Sequence, residues 1–278
     1  MTGKALVLGG GGVTGIAWEL GILAGLAEDG VDLTDADVIV GTSAGSVVGA
    51  QLTSGIPVEE LYQRQLEPPT SEIAAKIKLS VLARWAMASL GTRDPQRARA
   101  RIGAMALAAR TGPESERREV FESRLSIRQW PTHPKLLVTA IAADDGEFVV
   151  WDRDSGVSLV DAVMSSCAVP GVWPPVTING RRYIDGGMRA PANVDVAAGC
   201  ERLVVIAPLL AGFRRDGRVD SQVRAMGMRR VAVVSPDKTA AAAIGRNVLD
   251  PSRRAASAQA GREQARRVIA DIVSAWKD

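Results

Sequence analysis

The chain reads as an α/β protein built on parallel strands, and three observations predict that class. A short apolar strand, Lys4 to Leu8, runs through a glycine-rich loop into a helix expected from Ile16 to Ala27. A second apolar strand, Val38 to Val40, runs through Gly41-Thr42-Ser43-Ala44-Gly45 into another helix. Consecutive parallel strands of this kind bring both turns to the same edge of a sheet. The length of 278 residues fits one α/β domain with an insertion, or two small domains.

Composition narrows the function classes. Aromatic residues make up 4% of the chain and the net charge is +3. Single-stranded nucleic-acid binding calls for aromatic platforms beside basic groups, and no such pattern is present, so no nucleic-acid partner is expected. The two cysteines, Cys167 and Cys200, make neither a disulfide framework nor a metal cluster and are expected reduced and buried. Met1-Thr2-Gly3 leads straight into the first strand, and there is no run of about 18 apolar residues. The expected location is the cytoplasm, with reversible contact to a membrane surface left open.

The turn at Gly41, Ser43 and Gly45 is Gly-x-Ser-x-Gly. In a nucleophile elbow the serine occupies a strained strand-to-helix turn with its hydroxyl exposed. Glycines on either side avoid collisions with the neighbouring strand and helix. The helix that follows offers free N–H groups and the positive end of its dipole. The same pentapeptide also occurs as a plain small-residue turn. The sequence holds one histidine, His133. It sits between Pro131-Thr132 and Pro134, just before a strand, and reads as an ordinary loop residue. If Ser43 is a nucleophile, its base is not expected to be histidine.

Gly9 to Gly12 leave backbone N–H groups bare between a strand and a helix, a ready anion cradle. Gly10-x-Gly12-x-x-Gly15 matches the dinucleotide fingerprint, which also needs an acidic residue at the end of the second strand. Asp35 and Asp37 fall before that strand instead. The loop therefore reads first as an oxyanion hole beside Ser43, then as a nucleotide site, then as a plain turn.

From Gly55 to Trp130 prolines punctuate helical segments. Ile73, Ile77, Val81 and Trp85 recur every four residues. A core-facing helix with a polar outer face is the first expectation, and an amphipathic lid or membrane-facing helix the second. Arg97, Arg99 and Arg101 read as a solvated helix face. Leu136 to Ala142 and Phe148 to Trp151 read as strands joined by a tight turn at Asp144-Asp145-Gly146-Glu147. Leu159 to Cys167 is expected helical. Leu203 to Ala207 and Val231 to Val234 read as late strands. The arginine-rich tail from Ser252 to Trp276 reads as a basic surface helix. Asp185-Gly186-Gly187 is a turn whose aspartate needs no function, unless it faces Ser43.

Three motifs in this order resemble the patatin-like phospholipase family: Gly10 to Gly15, Gly41 to Gly45, and Asp185-Gly186-Gly187. The stretch from Ser166 to Pro175 is similar as well, and less sharply Ser235-Pro236-Asp237. The likeness covers Lys4 to Ser54 and Leu136 to Pro208. One departure stands out: Thr14 occupies a position where the family usually has Lys or Arg.

The resemblance implies a three-layer α/β/α fold with a central, mostly parallel sheet. It implies one domain over 1–278, with 55–130 a variable helical insertion or lid. It implies a Ser-Asp dyad, with Ser43 as nucleophile, Asp185 as base, and Gly10, Gly11 and Gly12 as oxyanion donors. The expected substrate is a lipid carboxylic ester, cleaved in the manner of a phospholipase A, lysophospholipase or esterase without metal or cofactor. The alternatives are a nucleotide-binding oxidoreductase and a catalytically silent lipid-binding protein.

Overall fold

The structure is a computed structural model and describes residues 3–68, 74–212 and 214–277. Strand β1 (Lys4–Leu8) leads into α1 (Gly12–Glu28), and β2 (Val38–Gly41) into α2 (Ala44–Leu52). Four helices come next: α3 (Val58–Leu66), α4 (Leu79–Ser89), α5 (Pro95–Leu107) and α6 (Glu114–Arg124). Then β3 (Lys135–Ala142) and β4 (Phe148–Trp151) form the expected antiparallel pair. They are followed by α7 (Leu159–Ser166), β5 (Val176–Ile178) and β6 (Arg181–Asp185). Further on come β7 (Arg202–Ile206), α8 (Val219–Met226), β8 (Arg230–Val234), α9 (Lys238–Ile244) and α10 (Arg254–Trp276).

All eight strands join one sheet in the order β5-β6-β3-β2-β1-β7-β8, with β4 also paired to β3. Strands β3, β2, β1, β7 and β8 pair in parallel, whereas β4 and β6 pair antiparallel to β3, and β5 pairs antiparallel to β6. Both faces of the parallel part are covered, which is why those strands are apolar on both sides. Leu6, Leu8 and Ile39 face the larger core, built with α1, α2, α7 and α10. Ala5, Val7 and Val40 face a second core with Val194 and Val219. This is the three-layer α/β/α arrangement. A third cluster joins Trp85 and Ile102 of the inserted helices to Ile141 and Ile184, at the far ends of β3 and β6.

Several expectations need correction. Helix α1 starts at Gly12 rather than near Ile16. Gly15 lies within it because a Cβ there would sit 3.2 Å from Pro208 Cγ. Helix α10 exposes Arg266 and Arg267 as expected of a surface helix, but its other face is a seam of small residues that packs hard on α1. A Cβ on Gly21 would lie 2.1 Å from Ala258 O, and one on Gly261 would lie 2.4 Å from Trp18 O. Trp18 Nε1 donates to Gln264 Oε1 at 3.1 Å across the same seam. Arg97 and Arg101 are exposed as expected, but Arg99 is half-buried and donates to Gly146 O at 2.8 Å. Cys167 and Cys200 are free, and both are half-buried rather than buried.

The segment around α4 departs furthest from expectation. Ile73 lies outside the described residues. Lys78 is extended, with φ −68° and ψ 145°, so the helix begins only at Leu79. Its outer face is not polar: Leu79, Leu82 and Met87 are all exposed.

The α1–α10 seam yields a test. Helix propensity alone favours Gly21→Ala by about 1 kcal/mol. Overpacking against a backbone carbonyl costs roughly 1–3 kcal/mol. Gly21→Ala is therefore expected to lower the urea unfolding midpoint, and an unchanged or raised midpoint would show that α10 moves aside freely.

Candidate active site

Three distant segments meet at one edge of the sheet. Leu8 is level with Gly41 of β2 and with Ile206 of β7. Gly41 is also level with Val138 of β3, and Ala140, two residues further along, pairs with Asp185 of β6. The glycine loop, the Ser43 turn and Asp185 line one cavity.

Ser43 has φ 52° and ψ −115°. Such a conformation costs a residue with a side chain roughly 1–3 kcal/mol and persists only where its surroundings impose it. Here they do. A Cβ on Gly41 would lie 2.5 Å from Ser46 Cα, and one on Gly45 would lie 2.1 Å from Leu8 O. Gly45 N–H donates to Gly9 O at 2.9 Å, tying the serine turn to the glycine loop. Ser43 N–H donates to Ser166 Oγ at 2.9 Å. Ser43 carbonyl accepts from Ser46 Oγ at 2.6 Å and from Cys167 Sγ at 3.2 Å. Ser166 and Cys167 thus hold the backbone of the strained residue, a task that the sequence did not disclose.

Asp185 is 3% exposed. Its Oδ1 accepts from Gly187 N–H at 2.7 Å, and the Ser43 side chain lies near enough to the same carboxyl to pull its titration down. Burial pushes this carboxyl up to about 7, against the opposing pull of those two groups. Burial, and then the neighbouring Asp185 charge, push the Cys167 thiol up to about 12. Cys167 is therefore a neutral hydrogen-bond donor.

A buried amide joins the two halves of the site. Asn193 Nδ2 lies 3.1 Å from Thr42 Oγ1, 3.2 Å from Gly186 O and 2.9 Å from Ala190 O. Thr42 and Thr139 hydroxyls are 2.9 Å apart. The residue before the serine and the residue after the aspartate are held by one side chain. Nothing in the local sequence around Asn193 signals this role.

In the glycine loop, Gly10 N–H donates to Pro191 O at 2.7 Å. It is committed to the backbone and is not available as a donor to a ligand. Gly11, Gly12 and Ala44 N–H have no backbone partner among the described residues. Gly12 has φ 61°, and a Cβ there would meet Val248 O at 2.4 Å. Thr14 is buried, and its N–H and hydroxyl each lie 3.2 Å from Val248 O. Positive charge reaches the cavity from elsewhere: Arg117 and Arg124 of α6 line it. The Arg117 guanidinium lies 3.8 Å from the Trp173 ring centroid. The rest of the wall is apolar, with Ile16, Ile77, Trp85, Val169 and Met188.

His133 is exposed and precedes Lys135, which is level with Val38 at the opposite end of β2. It therefore stands a strand's length from Ser43. Asp37 accepts from Lys4 N–H at 2.8 Å at that same far edge. The ribose anchor of a dinucleotide site is thus at the wrong end of the sheet. Glu19 of α1 is fully buried, and neither carboxyl oxygen has a hydrogen-bond partner among the described residues. Burial pushes it well above the usual carboxylate range, against a weaker pull from the Gly9 backbone.

Comparison with known proteins agrees with the geometry. The model of the family described as patatin-like phospholipase matches residues 6–198. The chain belongs to the patatin-like phospholipase family. Relatives in Mycobacterium bovis and Mycobacterium tuberculosis, each named an uncharacterized NTE family protein, are 30% identical over 226 residues. The match takes in 78% of this chain and 52% of the relative, so the chain spans about half the length of these curated relatives. Among solved structures, VipD from Legionella pneumophila aligns with a TM-score of 0.49 at 15% identity, over 97% of this chain and 67% of that one. The type III effector protein ExoU aligns with a TM-score of 0.43 at 15% identity, over 99% and 53%. The family match spans all three motifs, Thr14 included.

Glu19 and Asp185 set a pH dependence. Both have folded values above their ordinary ones, so the folded protein keeps protons that the unfolded chain has already released. Their contribution to stability is complete below pH ~4 and is lost as pH rises toward the folded values. Glu19→Gln is expected to raise the thermal unfolding midpoint relative to the parent protein, and more so near pH ~8 than near pH ~4. An equal effect at both would show that Glu19 ionises in the folded state as readily as in the unfolded one.

Proposed function

We propose that this chain hydrolyses carboxylic esters of lipids by acyl transfer through Ser43, with Asp185 as the base. The observation that carries the reading is the meeting, in one cavity, of a serine in a strained turn and a buried carboxyl, beside free backbone N–H groups. Ionised Asp185 takes the Ser43 proton as Oγ attacks the ester carbonyl. The developing oxyanion is received by Gly11, Gly12 and Ala44 N–H at the start of α1 and α2. Gly10, expected to join that set, instead fixes the loop through Pro191. Collapse expels the alcohol, which leaves with the proton from Asp185. Water then attacks the acyl-enzyme with Asp185 again as base, Ser43 Oγ leaves with the proton from Asp185, and the carboxylic acid departs.

An ordinary aspartate, at about 3.9, is a poor base for a hydroxyl. Burial raises Asp185 to about 7, close to the optimum for proton transfer near neutral pH. Each oxyanion donor is typically worth about 10²–10³ in rate, so the backbone groups supply much of the barrier reduction. The apolar wall suits an acyl chain, and Arg117 and Arg124 favour an ester that carries negative charge nearby. The helices between residues 55 and 130 supply part of that wall, through Ile77, Trp85 and Arg117. This supports a substrate-facing role for the insertion.

A fluorophosphonate probe is expected to label the protein, with mass spectrometry placing the adduct on Ser43. Ser43→Ala should lose both labelling and hydrolysis of a short-chain aryl ester. Asp185→Asn should lower kcat/KM by about 10³ or more, whereas His133→Ala should leave it nearly unchanged. An inactive but folded His133→Ala protein, or an adduct on another residue, would overturn the dyad.

The pH profile of kcat/KM offers an independent check. It should rise with pH through about 7, as Asp185 loses its proton. A limb near pH ~4 instead would mean that Asp185 keeps an ordinary carboxylate value.

A further inference from the structure

Helix α4 is mostly apolar, with Ser80, Arg84 and Ser89 its polar residues. Its inner face buries Trp85 and half-buries Val81 and Ala88. Its outer face carries Leu79, Leu82 and Ala86, with Leu90 just beyond the C-terminus. These residues fall at the spacing that aligns side chains along one face of a helix. Leu79 is 85% exposed, Leu90 68%, Met87 63% and Leu82 41%. Arg84 is the one charged residue within α4. An amphipathic helix normally turns its apolar stripe to the core, yet this one also turns leucines and a methionine to solvent.

The inner side of this segment forms part of the cavity wall. Trp85 and Ile77, from α4 and the segment before it, line the cavity on one side. Leu209 lines it as well, and the neighbouring exposed pair Leu209 and Leu210 adds a second outward apolar patch. Around α4 the charge has one sign. Lys76, Lys78, Arg84 and Arg93 are exposed, and from Ile73 to Arg93 the sequence holds no Asp or Glu. None of the four forms an ion pair among the described residues.

We infer that the outer face of α4 docks on the surface of an anionic lipid bilayer, placing the mouth of the cavity against the lipid. Leucines at this depth enter the acyl boundary, and the flanking cations meet the head groups. A second copy of the chain fits the face less well. A two-fold contact would set each cation cluster against its own counterpart, with no acid in the segment to offset it. The inference rests on the lipid-ester reading only for the use made of docking, and binding is measurable without catalysis.

The test uses Ser43→Ala protein, which binds without turnover, and a triple variant Leu79→Ser, Leu82→Ser and Leu90→Ser made with Ser43 intact and in the Ser43→Ala background. None of the three leucines lines the cavity. Sedimentation with phosphatidylcholine vesicles containing roughly 30 mol% phosphatidylglycerol should carry down the Ser43→Ala protein, and pure phosphatidylcholine vesicles much less. The triple variant should bind the anionic vesicles about tenfold or more weakly. With Ser43 intact it should hydrolyse a soluble aryl ester as the parent does, which also shows that it folds. Three results overturn the inference: no sedimentation of the Ser43→Ala protein, undiminished binding of the triple variant, or a parent dimer that becomes monomeric in the triple variant. Equal binding to neutral vesicles overturns the role given to the cations. Loss of ester hydrolysis with vesicle binding intact would instead count against the proposed chemistry.

Discussion

The backbone of Ser43 is the constraint on which the site depends. A left-handed residue with a side chain is unfavourable by itself, and the cost is met by packing that leaves no alternative path. Leu8 O and Ser46 Cα stand where side chains on Gly45 and Gly41 would have to be. The helix can approach the sheet that closely only with glycine at both places. Close approach sets the start of α2 beside the end of β1, and the Gly45 to Gly9 hydrogen bond locks the two loops together. Strain at Ser43 and convergence of the loops are thus one arrangement seen from two sides.

Asp185 depends on the same frame by a longer route. It arrives on an antiparallel strand, and pairing with Ala140 sets only its height. Its facing toward Ser43 is set by the turn that follows. A Cβ on Gly186 would collide with Thr139 Oγ1 at 2.4 Å, so that turn lies flat on β3. Asn193 then bonds Gly186 O and Thr42 Oγ1 together. A buried amide placed this way is favourable only when its partners are all in position. Loss of the Asn193 side chain would leave two buried hydroxyls and two carbonyls under-satisfied, so it guards the geometry of the pair more than it adds bulk to the core.

What the sequence disclosed follows from how local each signal is. The three motifs were legible because each is a short run of small residues whose spacing reflects a close backbone approach. The strands were legible from apolar runs, and the place of His133 from its position before a strand. Signals that come from the partner surface were not. Asn193, Ser166 and Cys167 act through contacts more than a hundred residues away in the chain, or across the sheet. The inner face of α10 is not legible because its charges mark only the outer side, while Ala258, Gly261 and Ala265 fit Trp18, Gly21 and Gly25 through contacts with a distant helix. The commitment of Gly10 N–H to Pro191 is likewise invisible without the turn that carries Pro191.

The electrostatics of the cavity add a further step. Thr14 brings no charge to the start of α1, and its polar groups meet Val248. Arg117 and Arg124 bring charge to the same cavity from the insertion, and both act on Cys167, beside Ser43. A cation fixed on α1 would sit on the rigid frame, beside the glycine loop. Cations on α6 belong instead to the segment that also supplies Ile77, Trp85 and the apolar face of α4. One stretch of chain therefore carries the charge, the hydrophobic wall and the outward face. The frame around Ser43 and Asp185 tolerates little change, as its glycines have no room for a side chain. The segment from α3 to α6 is free of that restriction over most of its length, and it is there that a sequence can alter what the cavity accepts without disturbing the pair beneath it.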